Sequence, residues 1–185
     1  MRYAGTRHNL GADVIELLAA RHGTKLRPER GLAAVFATCR IEGKLLALAV
    51  PNTYMNESGV AVRALVRRCG IEDDLSRLVI VHDELDLPTA AVRVKVGGGV
   101  AGHNGLRSVQ AHLHDANFVR VRVGIDKAAG QKTGADRVLR APSKRERDHL
   151  DVAVEIAADA VEKILADGAV AAMNAFNART SEPPA

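Results

Sequence analysis

Apolar residues recur along the chain with two different periods, and these mark out helices and strands. From Leu10 to Arg21 (LGADVIELLAAR), Val14, Leu17 and Leu18 fall at helical spacing with Gly23 beyond as a stop, which predicts an amphipathic helix. Ser58 to Cys69 predicts a second, with Val60, Ala64 and Leu65 on one face, Ser58 as N-cap and Gly70 after its end. The S-x-x-E run Ser143-Lys144-Arg145-Glu146 is a capping box opening a long helix to about Asp167, and Gly168 divides it from a short last helix ending near Asn177. Strands come between. LAAVFATCRI from Leu32 and KLLALAV from Lys44 are apolar runs separated by Glu42-Gly43, a hairpin or two neighbouring strands. Leu78 to Val81 (LVIV) is continuously apolar, as in a strand buried on both faces, and ends in HDELDLP. AVRVKV from Ala91 and FVRVRVGI from Phe118 alternate, predicting half-buried strands with basic residues on an open face. Between them the glycine-rich loop Gly97 to Gly102 leads into the amphipathic HNGLRSVQAHLH, and Asp126 to Pro142 has the weak periodicity of a mobile loop or lid.

Strands alternating with helices predict an α/β fold: a single domain with a twisted mixed sheet flanked by helices. With 185 residues there is room for one core, so residues 1–180 are expected to form the domain and 181–185 (SEPPA) a disordered tail. Hydrophobic residues at 47% and charged residues at 26% exclude a disordered chain. No apolar run reaches the roughly 18 residues of a membrane span, and MRYAGTRHN lacks the apolar stretch of a secretory signal, so a cytoplasmic protein with no membrane partner is expected. Cys39 and Cys69 have no metal-ligand spacing and read as reduced thiols. The balance of 26 Lys+Arg against 22 Asp+Glu mildly favours a polyanionic partner. With aromatics at 3% and no tryptophan, the grip would be on phosphate rather than on stacked bases.

Four polar clusters stand at junctions between elements: Thr6-Arg7-His8-Asn9, Thr53-Tyr54-Met55-Asn56, His82-Asp83-Glu84-Leu85-Asp86 and Gly102-His103-Asn104-Gly105. Loops at strand ends and helix starts are where an α/β sheet collects its site. Each cluster alone also reads as a cap or a turn. A divalent-metal site on His82, Asp83 and Asp86 is disfavoured, since consecutive strand residues point to opposite faces. Gly97, Gly99 and Gly102 satisfy G-x-G-x-x-G, but the next strand presents arginines and only Asp126 follows it, which suits a phosphate backbone better than a dinucleotide. Histidine, aspartate and several asparagines, without a nucleophilic cysteine or serine elbow, suit direct ester hydrolysis. Imidazole can deprotonate water, a carboxylate fixes its tautomer, and amide NH2 groups can donate to an oxyanion.

TRHNLG, PNTYMNESG, VHDELDLP and GGGVAGHNGLRS, in this order and spacing, resemble the bacterial peptidyl-tRNA hydrolases from Tyr3 to Asn177. The resemblance implies metal-independent hydrolysis, without a cofactor, of the ester joining a peptide to the 3′ ribose of tRNA, releasing the tRNA for reuse. It implies His8 as catalytic base and Asp83 as its orienting carboxylate. Asn56 and Asn104 would position substrate and water, with Tyr3, Tyr54 and His103 lining the cleft. Lys95 and Arg122 would grip phosphate near the acceptor end, and Asp126 to Pro142 would be the family's mobile loop. A monomer is expected. The alternative is a noncatalytic RNA-binding protein on the same fold. Met1-Arg2 stands where the family has an apolar strand and a G-x-x-N-P-G turn, so the sheet is expected to lack that first strand and Met1 to be an internal or misassigned start.

Overall fold

The computed structural model describes residues 5–100, 102–127 and 138–178. Met1-Arg2, Tyr3, residues 128–137 of the expected loop and the 181–185 tail lie outside the described residues. Two compact units are present. Among the described residues, the first comprises those of Ile15–Val79 and Val96–Val119; the second comprises residues 5–14, Ile80–Lys95 and those from Arg120 onward.

In the first unit, β1 (Arg27–Glu29), β2 (Ala34–Ile41) and β3 (Lys44–Pro51) form an antiparallel sheet in that order. The expected hairpin is present, with Ile41 opposite Lys44 and a turn at Glu42 and Gly43 whose φ values of 49° and 78° match the right-handed twist of the strands. The fully exposed β1 carries Pro28 and no apolar alternation, which is why the pattern does not announce it. Helix α2 (Ser58–Cys69) packs on α3 (Asn104–Leu113). Its limits are those predicted, and Gly70 ends it in the left-handed region at φ 61°. Its buried face is different. Gly59, Ala61, Val62 and Val66 are buried, whereas Val60 is 50% exposed, because the side turned to α3 is the one with the smallest residues. Ser58 is also not the N-cap: that position is Glu57, and the Ser58 hydroxyl donates to the Met55 carbonyl at 2.8 Å.

In the second unit, β4 (Val79–Glu84), β5 (Val92–Val96) and β6 (Val119–Gly124) form a sheet in the order β4-β6-β5. Bonds from Val119 N to Leu78 O and from Ile125 N to Glu84 O make β4 and β6 parallel; those from Gly97 N to Phe118 O and from Gly124 N to Ala91 O make β6 and β5 antiparallel. The mixed character expected from the sequence lies here. Helix α1 (Leu10–Arg21) starts in this unit and ends in the first, while α4 (Lys144–Asp167) and α5 (Ala169–Asn177), split at Gly168, belong wholly to the second. Leu150, Ala153, Ala157 and Val161 make α4's buried stripe.

Two strands differ from expectation. Val79, Ile80 and Val81 are only half-buried, and the strand continues through His82, Asp83 and Glu84, which are buried. Among the described residues β4 lies at the sheet margin, which leaves its apolar part open. Conversely, β6 is central, so the basic face predicted to be open is covered at Arg120, 3% exposed. Burial pushes the Arg120 guanidinium down from its ordinary pKa, Arg122 beside it acts in the same direction, and Glu84 opposes both.

Candidate active site

His8 lies in a three-residue 3-10 turn, Arg7–Asn9, immediately before α1, and Asp83 lies in β4. Gly11 brings these elements together. A Cβ there would stand 2.4 Å from the Val81 carbonyl oxygen, so only glycine lets the first turn of α1 approach the strand this closely. His8 Nδ1 then meets Asp83 Oδ1 at 2.7 Å, the side chains being 9% and 4% exposed. A carboxylate only accepts, so in the neutral ring the proton belongs on Nδ1 and Nε2 keeps its lone pair. That is the tautomer of a base.

Alternation along β4 sends the next carboxylate the other way. Glu84 accepts from Arg122 Nε and Nη2 at 3.1 Å through Oε2, and from the Asp86 backbone N–H at 3.1 Å through Oε1. Arg122 therefore sits in a fixed position on β6. The antiparallel register puts Lys95 opposite Arg120 and Arg93 opposite Arg122 on this same face. Lys95 is exposed, while Arg93 donates to the Val92 and Phe176 carbonyls.

The remaining motif residues are in the first unit. Asn56 is exposed in the 3-10 turn Met55–Glu57, next to the exposed Tyr54, and this turn packs on α3. Glycine again sets the approach: Gly59 N–H donates to Ser108 Oγ at 3.0 Å, and a Cβ at Gly105 would stand 2.7 Å from Met55 Sδ. His103 is the N-cap of α3, its Nδ1 accepting from Leu106 N–H at 3.2 Å, which assigns the ring proton to Nε2. Asn104 Oδ1 accepts from Arg107, which fixes the amide orientation. Tyr3 falls outside the described residues.

The motifs do not announce Glu84 as the anchor of Arg122 or Arg7 as a buried cation. Alternation in HDELD could have separated Glu84 from Asp83; for Arg7 no local signal exists, because its partner Glu146 is 139 residues away.

The family model described as peptidyl-tRNA hydrolase matches residues 1–184. A curated relative of that name from Cutibacterium acnes is 45% identical over 186 residues, covering 95% of this chain and 92% of its own. Another from Frankia casuarinae is 47% identical over 176 residues, covering 95% and 88%. A crystal structure of peptidyl-tRNA hydrolase from Acinetobacter baumannii aligns with a TM-score of 0.89 at 34% identity, covering 96% of this chain and 89% of that one. Agreement in sequence and backbone over nearly the full length makes the chain a member of the peptidyl-tRNA hydrolase family.

Proposed function

We propose that this member of the family hydrolyses the ester between peptide and tRNA with His8 as general base and Asp83 as the carboxylate that holds its ring. The observation that carries the reading is the 2.7 Å bond between His8 Nδ1 and Asp83. His8 Nε2 takes a proton from water as the oxygen attacks the ester carbonyl, and Asp83 stabilises the imidazolium that forms. The imidazolium returns the proton to the departing 3′ oxygen of the ribose. Water adds across the ester, giving a free carboxyl group and a free 3′ hydroxyl, and the tRNA is ready for reuse.

Asn56 and Asn104 supply amide donors that position the substrate carbonyl and the attacking water, with Tyr54 and His103 contributing beside them. Lys95 and Arg122 take phosphates near the acceptor end. No step calls on a metal or a cofactor. A noncatalytic RNA-binding role would not require an imidazole held on a buried carboxylate. No described helix is long and apolar enough to cross a membrane. The enzyme works as a monomer in the cytoplasm, where translation supplies its substrate, and residues 1–180 make up its functional domain.

Replacing His8→Ala tests the reading. Turnover should fall by roughly 10² to 10⁴, the usual contribution of a positioned general base, with tRNA affinity nearly unchanged and the wild-type rate unaffected by a chelator. Equal losses of affinity and turnover would remove His8 from the role.

A further inference from the structure

The turn that carries His8 is a poor support by itself. It is three residues long, and 3-10 hydrogen bonds are weak. A general base nevertheless has to be held within a fraction of an ångström. The residues on both sides of His8 supply the restraint, and both lead to the first turn of α4.

Arg7 is buried, and its guanidinium grips the Glu146 carboxylate with two donors: Nε to Oε1 at 2.6 Å, and Nη2 to Oε2. Its Nη1 donates to the carbonyls of Arg140 at 3.0 Å and Ala141 at 3.4 Å, just before that helix. On the other side, Asn9 Nδ2 donates to Asp13 Oδ1 at 2.6 Å. Asp13 Oδ2 in turn accepts from Arg147 Nη1 at 3.0 Å, and Arg147 Nε donates to Asp151 Oδ1 at 2.6 Å. Consecutive residues of α4, Glu146 and Arg147, thus hold the two neighbours of His8. Glu146 N–H donates to Ser143 Oγ at 3.3 Å, so the cap that starts the helix also seats the carboxylate. A buried ion pair adds little net stability over an apolar filling, but it imposes geometry when it is bidentate and fully hydrogen-bonded.

We propose that Arg7 and Glu146 are positioning residues for the reaction, with the first turn of α4 fixing His8 against Asp83. The inference rests on His8 being the base. It deepens that reading by assigning the alignment of the base to a helix that contributes no residue to the chemistry.

The test uses the full-length enzyme on a peptidyl-tRNA with a blocked peptide N-terminus. Glu146→Ala should lower kcat about 10- to 100-fold while KM stays within about twofold, because substrate grip lies elsewhere. The far-downfield proton resonance of His8 Nδ1–H should broaden or disappear with it, a signature that general loosening of the fold would not single out. Arg7→Lys keeps the charge and loses the fork, so it should act in the same direction, and Glu146→Gln should recover part of the rate. These two milder variants carry the test if Glu146→Ala does not fold. Adding Glu146→Ala to His8→Ala should cost nothing further. An unchanged kcat in a folded variant, equal changes in kcat and KM, or a further loss of the same size on top of His8→Ala would each overturn the proposal. Full activity of His8→Ala alone would instead sink the base assignment, and this inference with it.

Discussion

In the proposed mechanism the imidazole of His8 serves only while its proton stays on the nitrogen facing Asp83, and a single atom at position 83 controls that. Asp83→Asn offers an amide that can donate as well as accept. When the NH2 faces Nδ1, the ring proton moves to Nε2 and the lone pair no longer faces water. Turnover should fall, by less than on removing the imidazole itself, with little change in KM, and a pH–rate profile with steady-state kinetics measures it. A fully active Asp83→Asn enzyme would contradict the pairing. The motifs that carry His8, Asp83, Asn56 and Asn104 are legible in the sequence because each is a compact run of polar residues at an element junction. Glu84 is harder to see. It resembles another acid in an acidic turn, and only the alternation of β4, with Arg122 on the neighbouring strand, separates its task from that of Asp83.

Among the elements, the meeting of α2 and α3 carries the clearest mechanical prediction. A Cβ on Gly59 would lie 2.2 Å from the Ser108 carbonyl oxygen, and backbone cannot move aside as a side chain can. Gly59→Ala should force the helices apart at a cost of roughly 1 to 3 kcal/mol, read as a lower urea midpoint with an unchanged slope. Activity should drop as well, since the turn bearing Asn56 packs on α3, whose first residue is Asn104. The limits of α1 and α2 are legible to the residue, being marked by periodicity and, for α2, by a glycine just past the end. Which face of α2 is buried is not, because a face built around glycine and alanine has no hydrophobic signature of its own. Burial along β4 and β6 escapes the sequence pattern for a different reason: whether a strand is marginal or central depends on partners that its own residues do not encode.

For the molecule as a whole, the net charge of +4 is small, so tRNA affinity must come from where cations are placed rather than from their number. Replacing Lys95 or Arg122 by Ala should raise KM for peptidyl-tRNA and flatten the dependence of log affinity on log salt by about one unit for each phosphate no longer neutralised. A titration over a range of salt concentrations measures this, and an unchanged slope would move the phosphate site elsewhere. Neither compact unit is one continuous stretch of chain, and the consequence is a matter of timing during synthesis. Arg7 is translated 139 residues ahead of its partner Glu146, which at roughly 5 to 20 residues per second is an interval of about 7 to 28 s. Throughout that interval the growing chain is itself a peptidyl-tRNA, the substrate of the enzyme it will become, and the turn bearing His8 is without the carboxylate that holds Arg7.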